Sequence, residues 1–311
     1  MSGQSRCAPA PATPAGERSV SHPAGRHAAA VPIAYAPAAL SQPLPQEIGR
    51  PGVDIACANL VVVTAASGGI GASALAALLA HEFAARDLKC ALADLDLDSG
   101  GLDLLLGIER EPGLRLGRIN APLGRIEGDA LNHELPHWEG VAVLAHAPWI
   151  SQAPDWWETQ AALRALAEVN QVVVVDAGRG RGLDAMPDLL AGVEVVAIEL
   201  SVLGLARAKA HLAMLRRMRD ALAESLPGDL SRPLVVGLEP RGAPHGSSKV
   251  GVDEAGDYLG MQVLGPLRMR RAFCGRILDG LGVSDPGRAN RRVVAQLADE
   301  VETRLFGVRD D

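Results

Sequence analysis

Aromatic residues, cysteines and lysines are scarce in this chain of 311 residues. Aromatic residues make up 3% of the sequence and hydrophobic residues 48%, so the core must consist mainly of Ala, Leu and Val, a mixture that suits helices packed on a buried parallel sheet. Four scattered cysteines without a C-x-x-C pair exclude a disulfide-rich fold and fit buried thiols in a reducing cytosol. Lysine occurs only at Lys89, Lys209 and Lys249, so arginine supplies most of the positive charge.

Long apolar segments are also absent from the sequence. The N-terminus has no apolar region of the kind found in signal peptides, and no segment approaches the roughly 20 apolar residues that span a membrane. The last helical pattern carries Asp299, Glu300 and Glu302, which an anionic membrane surface would repel. We therefore expect a soluble, cytoplasmic protein with no direct membrane anchor.

The order of the segments predicts an α/β fold. Residues 1–55 are rich in Ala, Pro, Ser and Gly without an apolar period, which is typical of a disordered tail. Residues 56–311 alternate short β-branched segments with longer helical patterns, so we expect one domain with a mostly parallel sheet and helices on both faces. The predicted strands are 60–63, 90–93, 141–144, 172–175, 193–198 and 234–238, and the predicted first helix is 73–85.

A glycine-rich loop connects the first predicted strand to the first predicted helix. The segment Thr64–Ser73 reads TAASGGIGAS. Glycines in this context let backbone N–H groups surround a phosphate at the positive end of a helix. A tight turn that merely requires glycine explains the same residues, so the loop alone leaves both interpretations open.

One family with a similar loop is the short-chain dehydrogenases. Their T-G-x-x-x-G-I-G turn resembles Thr64–Gly71, with Ala65 in place of one glycine, and Asp94 would then bind the ribose of NAD(P). These enzymes use a Y-x-x-x-K pair in which the lysine lowers the pKa of the tyrosine. Neither Tyr35 nor Tyr258 has a lysine four residues later, so an oxidoreductase is the weaker alternative.

The sequence resembles the deviant Walker ATPases, the ParA and MinD proteins, more extensively. Ser67–Ser73 is similar to their K-G-G-x-G-K-[ST] loop, and Asp94–Glu109 is similar to their D-x-D switch followed by L-D-L-L-L-G-x-E. Val172–Asp176 resembles their Walker B strand. The resemblance covers residues 59–306 and implies a P-loop domain of this superfamily that forms a homodimer and takes ATP or ADP with Mg²⁺.

Further segments resemble the CpaE or TadZ branch, which occurs beside pilus and secretion genes in bacteria with GC-rich genomes. These segments are Gly113–Arg115, Ala121–Ile126 and Leu135–Pro136. The resemblance implies a cytoplasmic bacterial organiser of a pilus, secretion or septum-associated assembly. It also implies recruitment to the membrane or cell pole by a partner, such as a secretion or pilus ATPase or a membrane assembly protein.

The same resemblance assigns roles to individual residues. Asp96 corresponds to the switch aspartate that orients the attacking water, and Ser73, Asp94 and Asp176 to the magnesium site. The residues that correspond to the nucleotide-binding loop are Ser67, Gly68, Gly69, Ile70, Gly71, Ala72 and Ser73.

The loop differs from the family at both lysine positions. In the family, one loop lysine contacts the β and γ phosphates and another reaches the nucleotide of the partner subunit; Ala72 and Ser67 occupy these positions. A pair of unit charges about 4 Å apart is worth about 4 kcal/mol at an effective dielectric constant of about 20. We therefore expect a pseudo-ATPase or slow ATPase. The alternative is an active ATPase in which another cation, such as Arg179 or Arg181, replaces the lysines.

Three other features favour structural explanations. His133–His137 matches the H-E-x-x-H pattern of zinc proteases, but Pro136 interrupts the helix which that site requires, so we expect a loop with two incidental histidines. Arg268, Arg270 and Arg271 permit non-specific DNA contact, although a solvated helix face explains them better. Four tryptophans favour core packing or a partner surface over base stacking, because no basic residue lies among them; these are Trp138, Trp149, Trp156 and Trp157.

Overall fold

The computed structural model describes residues 58–121, 124–149, 152, 154–222, 232–241, 249–284 and 286–307. The tail predicted for residues 1–55 lies outside the described residues, as do Cys7 and Cys57. All the predicted strands and the predicted first helix lie within the described part of the chain, and the structure confirms them.

Within the described residues, the strands form one sheet of eight. They are β1 (Leu60–Ala65), β2 (Cys90–Asp94), β3 (His137–Trp138), β4 (Val141–Leu144), β5 (Val172–Asp176), β6 (Val193–Glu199), β7 (Leu234–Leu238) and β8 (Val263–Leu267). Their order across the sheet is β3-β4-β2-β5-β1-β6-β7-β8. All neighbouring pairs are parallel except β3 and β4, so the loops that follow β1, β2 and β5 emerge at the same edge.

Helices cover both faces of the sheet, as the alternating pattern predicts. They are α1 (Ala72–Ala85), α2 (Leu102–Leu106), α3 (Gly128–Glu134), α4 (Trp156–Val169), α5 (Val202–Leu222), α6 (Val252–Leu259), α7 (Arg271–Leu278) and α8 (Arg288–Phe306). Short 3₁₀ turns occur at Leu116–Arg118 and Pro187–Ala191. One apolar core contains residues of α1, α2, α7 and α8, and the other contains residues of α3 to α6, with the sheet between them.

Two strands escaped sequence reasoning. Strand β3 has only two residues, and β8 contains Gly265 and Pro266, which lack the β-branched pattern that identifies the other strands. Proline has no N–H to donate to a neighbouring strand, but β8 lies at an edge of the sheet, where this loss is tolerated.

The expectation of a loop at His133–His137 is wrong. His133 belongs to the last turn of α3, Leu135 is extended, and His137 begins β3. Pro136 explains the break, because the residue before a proline disfavours the helical conformation. The two histidines therefore do not share a helix face, and the residues described by the structure include no group of three His, Cys, Asp or Glu side chains suited to a metal ion.

Arg86 connects the end of α1 to α8. Its guanidinium donates to Glu82 on α1 and to Asp299 and Glu302 on α8, at 2.7 to 3.0 Å, and also to the carbonyl of Ala295. These bonds hold α1, the helix that follows the glycine-rich loop, against α8.

Candidate functional site

The ends of three adjacent strands bring the predicted site residues together. Strand β1 lies beside β5, where Val63 is opposite Asp176, and β5 lies beside β2, where Asp94 is opposite Asp176. Ligands of parallel α/β sheets bind beyond the carboxyl ends of the strands. The glycine-rich loop and the acidic residues therefore face the same region.

The glycine-rich loop has the backbone of an anion-binding turn. Gly69 and Gly71 adopt left-handed conformations, with φ of 73° and 109°. Gly71 is the N-cap of α1, and no side chain caps this helix end or places an acidic group in its first turn. The first N–H groups of the helix thus remain available to an anion at the positive end of the helix dipole.

A cleft of about 720 Å³ lies over the loop. This volume is within the range of about 300 to 1,000 Å³ that is typical of small-molecule sites. Six of the seven predicted loop residues line it, whereas the side chain of Ile70 is buried in the core. Ile70 therefore contributes only its backbone to the cleft. Among the charged residues that line the cleft are Asp96, Asp98, Arg179, Arg181 and Arg241.

Ser67 occupies the position of one of the missing lysines. Ser67 is 6% exposed, and within the described part of the chain its hydroxyl oxygen has no hydrogen-bond partner. A buried hydroxyl without a partner is costly. Because Ser67 lines the cleft, a ligand there would satisfy this hydroxyl.

Ser73 and Asp176 form a hydrogen-bonded pair at the base of the loop. The Ser73 hydroxyl donates to the buried carboxylate of Asp176, which also accepts the N–H of Gly178 at 3.2 Å. Burial raises the pKa of Asp176, and these two donors oppose the shift. A hydroxyl and a carboxylate are oxygen ligands of the kind that Mg²⁺ takes beside phosphates, so this pair fits the predicted magnesium site.

Asp94 has a different environment. It is 2% exposed, and its two carboxylate oxygens accept the N–H groups of Asp96 and Leu102 at 3.1 and 3.2 Å. Burial and, to a smaller extent, the neighbouring Asp176 raise the pKa of Asp94. These contacts hold the segment between β2 and α2 in place. They also leave Asp94 poorly available to a ribose, which weighs against the dehydrogenase alternative.

Asp96 lies on the wall of the cleft. Gly178, with φ of 52°, approaches it so closely that a Cβ at this glycine would lie 2.6 Å from the Asp96 Cγ. Residue 178 is therefore glycine for two reasons, its backbone conformation and the space that Asp96 occupies. Asp96 thus faces the same cleft as the loop, where the predicted role in orienting water would be exerted.

In the described part of the chain, three arginines line the cleft, and sequence reasoning anticipated two of them. Arg181 pairs with Asp98 at 2.6 Å, and both side chains are largely exposed. Arg179 lies near enough to His211 to help burial lower the pKa of that histidine. Arg241, which follows β7, was missed; the only signal was a basic residue after a buried strand.

The four tryptophans have different surroundings. Trp138 is buried and its ring lies 5.8 Å from that of His81, whereas Trp149, Trp156 and Trp157 are each about half exposed. Trp149 contacts the segment before α2, since its ring lies 3.7 Å from the Cβ position of Gly101.

Comparisons with known proteins agree with this architecture. No family model matches the chain. Two uncharacterized proteins of Mycobacterium tuberculosis, from strains CDC 1551 and H37Rv, are 42% identical over 89 residues, which are 29% of this chain. The chain spans about a quarter (24%) of the length of these curated relatives.

Solved structures match a larger part of the chain. A ParA family ATPase from Chlorobium tepidum has a TM-score of 0.59 at 17% identity, over 77% of this chain and 97% of its own. A chain of the MinC:MinD cell division protein complex from Aquifex aeolicus has a TM-score of 0.59 at 16% identity, over 78% of this chain and 95% of its own. MinD of Pyrococcus horikoshii in complex with Mg-ADP has a TM-score of 0.52 at 18% identity, over 80% of this chain and 99% of its own. The chain therefore has the fold of the ParA and MinD ATPases, as its sequence predicts.

Proposed function

We propose that this protein is a MinD- and ParA-like spatial organiser whose P-loop binds nucleotide weakly and hydrolyses it slowly or not at all. One observation carries the proposal: a phosphate-binding loop of the ParA and MinD fold retains its glycines and its Ser73–Asp176 pair, but has Ser67 and Ala72 where the family has lysines. The backbone and the metal ligands serve binding, whereas the missing cations would have stabilised the charge of phosphoryl transfer.

Magnesium, when bound, would neutralise phosphate charge in this site. Ser73 and Asp176 would hold it, and Asp94 would support it by fixing the segment that contains Asp96. Two solved structures of the same fold support this proposal, because one contains Mg-ADP and the other an ATP analogue with magnesium.

We further propose a CpaE-like role in the bacterial cytoplasm, as a homodimer recruited by a pilus, secretion or septum-associated partner. The half-exposed Trp149 supports a partner surface, because it contacts the segment between Asp96 and α2 and so connects that surface to the cleft. In the described part of the chain no helix is long and apolar enough to cross a membrane.

Direct DNA contact receives less support. Arg268 donates to Glu239 at 3.0 Å, so its charge is already partly neutralised. Arg270 and Arg271 at the start of α7 remain the candidates for non-specific contact with phosphates.

Calorimetric titration with Mg-ATP, combined with an assay of phosphate release, tests the proposed function. We expect weak binding and little or no turnover. The absence of both heat and a thermal shift at millimolar nucleotide would reject nucleotide binding. Rapid turnover would instead favour the second candidate, an active ATPase, which the three arginines lining the cleft support.

A further inference from the structure

Of the residues that the structure describes, three arginines line the cleft, and two of them already interact with other side chains. Arg181 forms an ion pair with Asp98, which also lines the cleft. Arg179 lies close to His211, where its charge acts on the buried imidazole. A phosphate that recruited Arg181 would have to replace an existing carboxylate partner.

Arg241 lies beside the glycine-rich loop. Its Nη2 atom is 3.3 Å from the position that a Cβ would occupy at Gly71, the N-cap of α1. The side chain is exposed, and neither a hydrogen bond nor an ion pair joins it to another residue that the structure describes. Its guanidinium therefore keeps its donors available at the loop.

Gly71 permits this approach. A Cβ there would lie 2.6 Å from the Met269 Cε, and the φ of 109° is strained for any residue with a side chain. The absence of a side chain thus lets both Arg241 and Met269 reach the loop.

Three independent features then converge on one place. The N-terminus of α1 has no side-chain cap, the buried hydroxyl of Ser67 has no partner within the described residues, and Arg241 adds a positive charge. A guanidinium suits phosphate because its planar donors form paired, charge-assisted hydrogen bonds. We propose that Arg241 binds the phosphate chain of the nucleotide and supplies the cation that the loop lacks at Ala72.

This inference rests on the proposed nucleotide binding, and calorimetry separates the two. Wild type and Arg241→Ala are titrated with Mg-ATP and with inorganic tripolyphosphate, each with magnesium. We expect Arg241→Ala to weaken both ligands at least tenfold, about 1.4 kcal/mol, and Arg241→Lys to retain part of the affinity. The difference should shrink as salt is added, because the contact is between charges near solvent.

Two further variants complete the experiment. Arg207→Ala removes an exposed arginine on α5 that does not line the cleft, and it should bind like wild type. Ala72→Lys in the Arg241→Ala background should restore affinity, because the lysine returns a cation to the same site. Circular dichroism and melting temperature verify that each variant is folded.

The outcomes distinguish the two proposals. A wild-type protein that binds neither ligand overturns the proposed function, and this inference with it. If the wild type binds and Arg241→Ala binds equally tightly, only the role of Arg241 is wrong. If Arg241→Ala loses affinity for ATP but not for tripolyphosphate, Arg241 contacts the base or ribose and its proposed phosphate contact is overturned.

Discussion

At the scale of single residues, the proposed phosphate-binding loop keeps its glycines and Ser73 but carries no positive charge of its own. Gly69 and Gly71 keep the left-handed backbone, and Ser73 keeps its bond to Asp176. Neither Ser67 nor Ala72 carries a charge. The shape of the loop and its charge can therefore change independently. The position of the backbone N–H groups depends on the turn, whereas the positive charge depends on a single side chain.

Restoring the loop lysine tests this separation. Ala72 lines the cleft at the start of α1, so a lysine there can extend over the loop. We expect Ala72→Lys to tighten Mg-ATP binding at least tenfold in calorimetry, because it adds a charge beside the phosphates. Ala85→Lys, which adds the same charge at the exposed opposite end of α1, is the control. Equal affinities in a folded Ala72→Lys variant would contradict this account.

At the scale of elements, α5 and β1 meet through a buried histidine just before the loop. His211 on α5 lies 2.9 Å from the hydroxyl of Thr64 on β1. Burial, assisted by the charge of Arg179, lowers the pKa of His211 from 6.5 to about 4. The folded protein therefore keeps this imidazole neutral at pH values where the unfolded chain would protonate it.

Acid should weaken the protein through this contact. Stability from neutral His211 is complete above pH 6.5 and is lost as pH falls from about 6.5 to about 4, because only the unfolded state takes up the proton. The loss reaches roughly 3 kcal/mol at about 1.36 kcal/mol per pH unit. We expect His211→Gln to flatten this dependence in urea unfolding followed by circular dichroism, and exposed His133→Gln to leave it unchanged. A slope that survives His211→Gln in full would assign the acid sensitivity to another group.

At the scale of the whole molecule, the fold places the glycine-rich loop, the segment that follows β2 and Trp149 at one edge of the sheet. The whole sequence has a formal net charge of −7, and arginine supplies most of its positive charge. For a weak nucleotide binder, assembly would depend on protein contacts more than on the nucleotide.

Light scattering after size-exclusion chromatography tests this dependence. We expect the same molar mass with and without Mg-ATP, because a loop without lysines gives nucleotide little binding energy with which to drive association. The Ala72→Lys variant provides the comparison in which nucleotide binds more tightly. A wild-type mass that doubles with Mg-ATP, accompanied by phosphate release, would favour the active ATPase instead.

The sequence by itself determined the α/β fold, most strand positions, the glycine-rich loop and the missing lysines. These properties are local: β-branched segments, helical periods and loop glycines act through neighbours in the chain. It did not reveal β8, because Gly265 and Pro266 interrupt the pattern that marks a strand.

Only the tertiary structure decided which side chains share the cleft. Arg241 and Gly71 are far apart in sequence and meet because β1, β6 and β7 lie side by side in the sheet. Likewise, the burial of Ile70 and the backbone contacts of Asp94 depend on packing against distant elements. Periodicity carries no information about the order of strands in a sheet, and that order places Arg241 beside the loop.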